Sequence, residues 1–157
     1  MSINRKQNRL NHDIYHGNRA YSLTICTDNR QKHFLNATTV TTCIDILRQI
    51  SKPLFEIYAY CFMPDHLHLL IVAMQENVDL IRFIKDFKQQ TGFHFKQESG
   101  SPLWQKSYYD HVLRKDEDLR TVARYILNNP VRAGLVKDFQ EFHFMGSFVY
   151  NINDLAV

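Results

Sequence analysis

Two apolar runs joined by three residues constrain the fold of this 157-residue chain more than any other feature. Residues 56–62 (Glu-Ile-Tyr-Ala-Tyr-Cys-Phe) are apolar on both faces, as a central strand must be. Met63-Pro64-Asp65 reads as a turn, because proline fixes one backbone angle and aspartate bonds locally. Residues 66–71 (His-Leu-His-Leu-Leu-Ile) then return as a second strand, which predicts an antiparallel hairpin. Alternation sends Leu67, Leu69 and Ile71 into a core and sets His66 and His68 together on the other face, about 7 Å apart at Cβ. Two imidazoles so placed can reach one metal ion at roughly 2.1 Å.

The flanking segments extend the hairpin into a recognisable order. Residues 21–27 alternate Tyr21, Leu23 and Ile25 with Ser22, Thr24 and Cys26, the period of a half-buried strand. Val40, Cys43, Ile44, Leu47 and Ile50 recur at helical spacing, with Thr38 or Thr39 as the cap and Pro53 beyond the end. Residues 78–96 set Leu80, Ile81, Ile84, Phe87, Thr91 and Phe95 against Arg82, Lys85, Asp86 and Gln89. That pattern predicts an amphipathic helix capped by Asn77 and closed at Gly100-Ser101-Pro102. Residues 109–113 read as a strand. Asp116-Glu117-Asp118 opens a last long helix, where negative charge suits the N-terminal end, with Leu119, Val122, Ala123 and Ile126 as its buried stripe. The order β-α-β-β-α-β-α is that of the ferredoxin-like sandwich in the α+β class, an antiparallel sheet carrying helices. With no repeat or long linker, residues 1–157 read as a single catalytic domain with a basic arm over 1–19 and an extended aromatic tail over 139–157.

Composition narrows the function classes. Apolar residues make up 45% and aromatics 13%, which fits a folded protein rather than a disordered one. No apolar run approaches the ~20 residues that span a bilayer, so no membrane association is expected. The basic, polar N-terminus has no apolar stretch behind it, and a cytoplasmic location is expected. Cys26, Cys43 and Cys61 are odd in number and widely spaced in apolar surroundings, so they read as small core residues of a reduced protein. The formal charge is only +3, but it is unevenly placed. Residues 1–36 carry six Lys/Arg against two Asp, and residues 80–115 carry seven against three acids, compatible with either a phosphate-binding surface or solvated faces.

On its own the His-x-His pair is a weak signal; the last helix strengthens it. Tyr125 is offset from the apolar stripe, and Asn129 follows four residues later, about 5–6 Å away on the same helix face. Asn129 precedes Pro130, and a residue before proline disfavours the helical conformation, so the helix is expected to end there. A divalent ion held by His66, His68 and Asn129 would keep open positions for phosphate oxygens and polarise a phosphodiester. Tyr125 would attack it, giving a phosphotyrosine and a free 3′-hydroxyl. Phenolate is a good leaving group, so the link is reversible and retains the bond for rejoining. Imidazoles favour Mn²⁺ or Zn²⁺ while an amide oxygen and phosphates suit Mg²⁺, so Mg²⁺ or Mn²⁺ is the expected cofactor.

Several segments resemble the HUH-type single-tyrosine transposases, in the REP-associated tyrosine transposase branch. They are residues 17–27 (Gly-Asn-Arg-Ala-Tyr-Ser-Leu-Thr-Ile-Cys-Thr), 62–71 (Phe-Met-Pro-Asp-His-Leu-His-Leu-Leu-Ile), 103–114 and 123–136 (Ala-Arg-Tyr-Ile-Leu-Asn-Asn-Pro-Val-Arg-Ala-Gly-Leu-Val). The family's histidine pair falls on His66 and His68, its nucleophile on Tyr125 and its third ligand on Asn129. The resemblance implies metal-dependent cleavage and rejoining of single-stranded DNA that carries hairpins, through a 5′-phosphotyrosine, in mobilising short palindromes. The segment after Phe142 looks less like the family. Two other readings remain open: a non-catalytic module binding structured DNA or RNA, and a metal-dependent nuclease using water. Oligomeric state is open too, with the short Asn-Pro-Val-Arg-Ala-Gly link leaning toward a monomer.

Tyr108 and Tyr109 are rival nucleophiles that lack a spaced amide partner, and His111 nears the metal only if its strand neighbours His68. Trp104 can stack on a base or pack in the core, and Lys106 beside it can neutralise a phosphate. Arg132 suits a phosphate contact or a salt bridge. Arg5, Lys6, Arg9 and Arg19 can grip a hairpin through its phosphates or remain solvated.

Overall fold

The computed structural model describes residues 19–114 and 117–155. The expected hairpin is present: β2 (Phe55–Met63) and β3 (His66–Ala73) pair antiparallel, with Met63 opposite His66 across a Pro64-Asp65 turn. Strand β1 (Ala20–Cys26) pairs with the free side of β3, and β4 (Tyr109–Val112) adds to β1. A two-residue strand, β5 (Met145–Gly146), joins β2 at the opposite edge. The sheet therefore runs β4-β1-β3-β2-β5 with every neighbour antiparallel, the ferredoxin-like order with one extra strand.

Helix α1 (Ala37–Ser51) and helix α2 (Leu80–Ser99) cover one face of this sheet. Their Val40, Cys43, Leu47, Leu80, Phe83, Ile84 and Phe87 pack with Tyr21, Leu23, Ile25, Leu67, Leu69 and Ile71 in one core. Helix α3 (Leu119–Leu127), the short helix α4 (Asn129–Arg132) and the tail cover the other face, where Ala123, Ile126 and Leu127 meet Ala59, Cys61, Met63 and Leu70. β2 is apolar on both faces because both are covered. Its ladder also skips one residue: Ile57 opposes Ile71 and Ala59 opposes Leu70, leaving Tyr58 as a bulge. The bulge flips odd–even parity, so Phe55 and Ile57 face α1 and α2 while Ala59, Cys61 and Met63 face α3.

Four local expectations are corrected. The cap of α1 is Asn36, whose Oδ1 accepts from Thr38 N (2.9 Å) and Thr39 N (3.3 Å), not Thr38 or Thr39. Asparagine is at least as good a cap as threonine, and starting there satisfies two amides with one side chain. Asp79 rather than Asn77 caps α2; Asn77 has φ 64° and serves the preceding turn. The last long helix stops at Leu127, and Asn129 opens a new helical turn with Pro130 in its first positions, which proline tolerates. The tail folds back in two short turns, Phe139–Glu141 and Ile152–Leu155, around β5. The three cysteines are buried, and no described helix is long and apolar enough to cross a membrane. Arg5, Lys6, Arg9 and Asp116 lie outside the described residues.

Candidate active site

His66 and His68 point away from Leu67, Leu69 and Ile71, onto the face that α3 covers. In the ladder His68 lies between Thr24 of β1 and Cys61 of β2, and His66 lies between Cys26 and Met63. The two Nε2 atoms approach to 3.1 Å. Each Nδ1 is held separately. His66 Nδ1 lies 2.6 Å from Asp65 Oδ1, and His68 Nδ1 lies 3.1 Å from Thr24 Oγ1. Arg30 Nε in turn donates to Asp65 Oδ2 at 3.0 Å, and its Nη1 donates to Cys26 Sγ at 3.0 Å.

These partners set protonation. Burial pushes the His68 imidazole down to about 4, and the positive character of His66, Arg132 and Arg30 pushes the same way, so His68 is neutral near pH 7. Burial alone would raise Asp65, but hydrogen bonds from His66 and Arg30 outweigh it and hold the carboxyl below its usual range. With Nδ1 donating to an ionised Asp65, a neutral His66 would keep a lone pair on Nε2. A Thr24 hydroxyl accepting from His68 Nδ1 does the same for His68. Nitrogens 3.1 Å apart match two adjacent ligands of one ion at roughly 2.1 Å. The orienting partners on the far nitrogens are those that imidazole ligands ordinarily have. Among the described residues no three of His, Cys, Asp and Glu are placed to hold one ion, so a further protein donor would be of another type, such as an amide.

Tyr125 and Asn129 lie on the same side of the sheet. Ala123, Ile126 and Leu127 turn to the core, and Tyr125 projects outward, 65% exposed. Arg132 gathers this end of the site. Its Nη2 donates to the Tyr125 carbonyl at 2.7 Å and also to Asn129 Oδ1, and its guanidinium carbon sits 3.7 Å from the centre of the Tyr125 ring. The Arg132 charge reaches the histidine strand, depressing His68 and opposing the burial that drives the Cys61 thiol up to about 12. The imidazole pair and the Tyr125–Asn129–Arg132 cluster therefore share one face.

Other candidates separate. Trp104, read as a possible base platform, is core: its ring packs on Phe34 and Phe87 and Nε1 donates to Thr91 Oγ1 at 2.8 Å. Tyr108 is also buried. Tyr109 lies on the histidine face but two strands from His68, opposite Thr24. β4 neighbours β1 and not β3, so His111 opposes Ser22 and bonds Glu117 Oε1 at 3.1 Å. Arg19, Lys106 and Arg132 are exposed. Asp65, Thr24 and Arg30 went unassigned in the sequence. Asp65 precedes His66 directly and Thr24 faces outward on β1, signals that were legible; Arg30 carried none.

A family model described as IS200-like transposase matches residues 16–129. A Haemophilus influenzae protein named as a REP-associated tyrosine transposase is 33% identical over 147 residues, covering 78% of this chain and 79% of its own. The REP-associated tyrosine transposase of Escherichia coli K12 is 30% identical over 91 residues, covering 57% of this chain and 53% of its own. Among solved structures, a REP-associated tyrosine transposase bound to a REP hairpin superposes with a TM-score of 0.67 at 25% identity, covering 83% of this chain and 78% of that one.

Proposed function

This chain belongs to the IS200-like transposase family, and we propose that it cuts and rejoins single-stranded DNA beside a hairpin through Tyr125. The observation that carries the reading is the pairing of His66 and His68, each braced at Nδ1, with an exposed Tyr125 tied to Asn129 on the same face.

His66 Nε2, His68 Nε2 and Asn129 Oδ1 would hold Mg²⁺ or Mn²⁺. When bound, such an ion polarises the scissile phosphodiester and fixes its orientation. The Tyr125 phenolic oxygen attacks phosphorus and gives up its proton; the P–O3′ bond breaks and the 3′ oxygen takes a proton. The downstream strand is left on Tyr125 by its 5′ phosphate. Attack by a second 3′-hydroxyl reverses the sequence and joins a new strand. A phenol is a weak nucleophile near neutrality, so the pull on phosphorus and the positioning of Tyr125 must supply most of the rate. Arg19 with Arg5, Lys6 and Arg9, and Lys106 on the connection before β4, would bind backbone phosphates, which makes affinity fall with salt. Helix α3 packs over the face of its own sheet that carries the imidazoles, so a monomer is proposed to suffice.

The test uses DNA hairpins with single-stranded flanks, taken from palindromic repeats of the organism's chromosome and labelled at the 3′ end. After incubation with Mg²⁺ or Mn²⁺, label that migrates with the protein on a denaturing gel, and is lost in Tyr125→Phe, supports the proposal. Cleavage without attachment would show a water nuclease, and binding without cleavage would show a recognition module.

A further inference from the structure

We propose that Arg132 is a positioning residue that bridges the break between α3 and α4 and holds Tyr125 and the Asn129 amide oxygen as one unit. This rests on the reading of Tyr125 as nucleophile.

A continuous helix would set residues 125 and 129 one turn apart without help. Here the helix breaks: Asn128 has φ −87° and ψ 1°, and a new turn begins at Asn129. The two residues thus sit on separate short helices, and their relation depends on what spans the joint. Arg132 spans it with three contacts from one side chain, to the Tyr125 carbonyl at 2.7 Å, to Asn129 Oδ1 and to the Tyr125 ring face at 3.7 Å. Guanidinium has only donors, so the amide of Asn129 must turn its oxygen toward Arg132. That fixes the amide oxygen on the Arg132 side, and the oxygen keeps a second lone pair. The Tyr125 ring is 65% exposed, so packing does little to select its rotamer. A guanidinium stacked on it favours one orientation by a factor of roughly several. Lysine cannot replace this arrangement, because a compact ammonium that reaches both oxygens leaves no guanidinium group over the ring.

This role differs from a phosphate contact in what a lysine can rescue. The experiment compares the wild type with R132K and R132Q, two variants at an exposed position, each carrying 3-fluorotyrosine at position 125. Fluorine NMR of the DNA-free protein reads the ring environment. Single-turnover formation of the covalent adduct at saturating hairpin reads the chemical step, and hairpin affinity against salt reads phosphate binding. In both variants the fluorine signal is expected to move to the position of a solvent-exposed fluorotyrosine. The adduct rate is expected to fall by about 30–100-fold, the scale of a misplacement near 1 Å, while affinity stays within about threefold. An unmoved fluorine signal overturns the proposal, as does a wild-type rate in R132K. Lost affinity with the salt slope reduced by about one would assign Arg132 to a phosphate instead. If the wild type forms no adduct that Tyr125→Phe removes, the nucleophile reading fails by itself, and the fluorine comparison still decides whether Arg132 holds the ring.

Discussion

Trp104→Phe separates a core tryptophan from a base-stacking one. The indole N–H donates to Thr91 Oγ1 at 2.8 Å, while the same hydroxyl donates to Phe87 O at 2.7 Å. Phenylalanine removes the first bond and leaves the second, a loss of about 1 kcal/mol. The smaller ring also withdraws contact from Phe34 and Phe87, roughly two methylene equivalents at about 0.8 kcal/mol each. Together these give about 2–3 kcal/mol, and at roughly 2–4 °C per kcal/mol for a chain of this size the melting midpoint falls by about 5–10 °C. Thermal melting by circular dichroism measures that fall, and fluorescence anisotropy with a labelled hairpin measures binding, which should be unchanged. The chain has one tryptophan, so its emission should also be indifferent to added hairpin. Stacking on a base is worth about 1–3 kcal/mol. A variant that melts with the wild type but binds tenfold or more weakly would therefore refute the packing argument.

Two further outcomes are expected. Asp65→Asn removes the carboxylate that orients His66, and Mn²⁺ affinity of the DNA-free protein, followed by electron paramagnetic resonance, should weaken by about 10–100-fold; unchanged affinity would remove Asp65 from the site. Gly146→Ala places a Cβ 2.5 Å from Tyr60 Oη and 2.8 Å from its Cζ, so forced repacking should cost about 1–3 kcal/mol in a melt, and no loss would mean that β5 does not depend on this close approach.

The sheet was legible because its signals are redundant. Tyr21, Leu23 and Ile25 alternate, the hairpin has proline in its turn, and both helices of the first layer keep a helical apolar period, so each element is marked several times over. Which candidate residues share a face was legible, but the joints between them were not. Whether residues 125 and 129 share a helix depends on what Asn128 and Pro130 do together, and proline permits both a stop and a fresh start. Asn36 and Asp79 took the capping roles because caps are chosen by the helix's first free amides, which a period count locates only to within a turn. β5 is too short to leave a pattern; it exists because β2 has an unpaired edge beside Gly146. Trp104 shows the limit of composition: a basic neighbour suggested nucleic acid, while Thr91, thirteen residues upstream, offered the buried acceptor that an indole needs.

The extra residue in β2 has a consequence beyond the sheet. Tyr58 stands outside the ladder, and the residues on either side of it keep their partners across β3. Its ring meets Tyr150 edge-on, 5.3 Å between centres, so the C-terminal stretch is moored to a side chain that sets no register. That one contact can be strengthened or lost without shifting either imidazole, because Tyr58 has no partner in the β3 ladder.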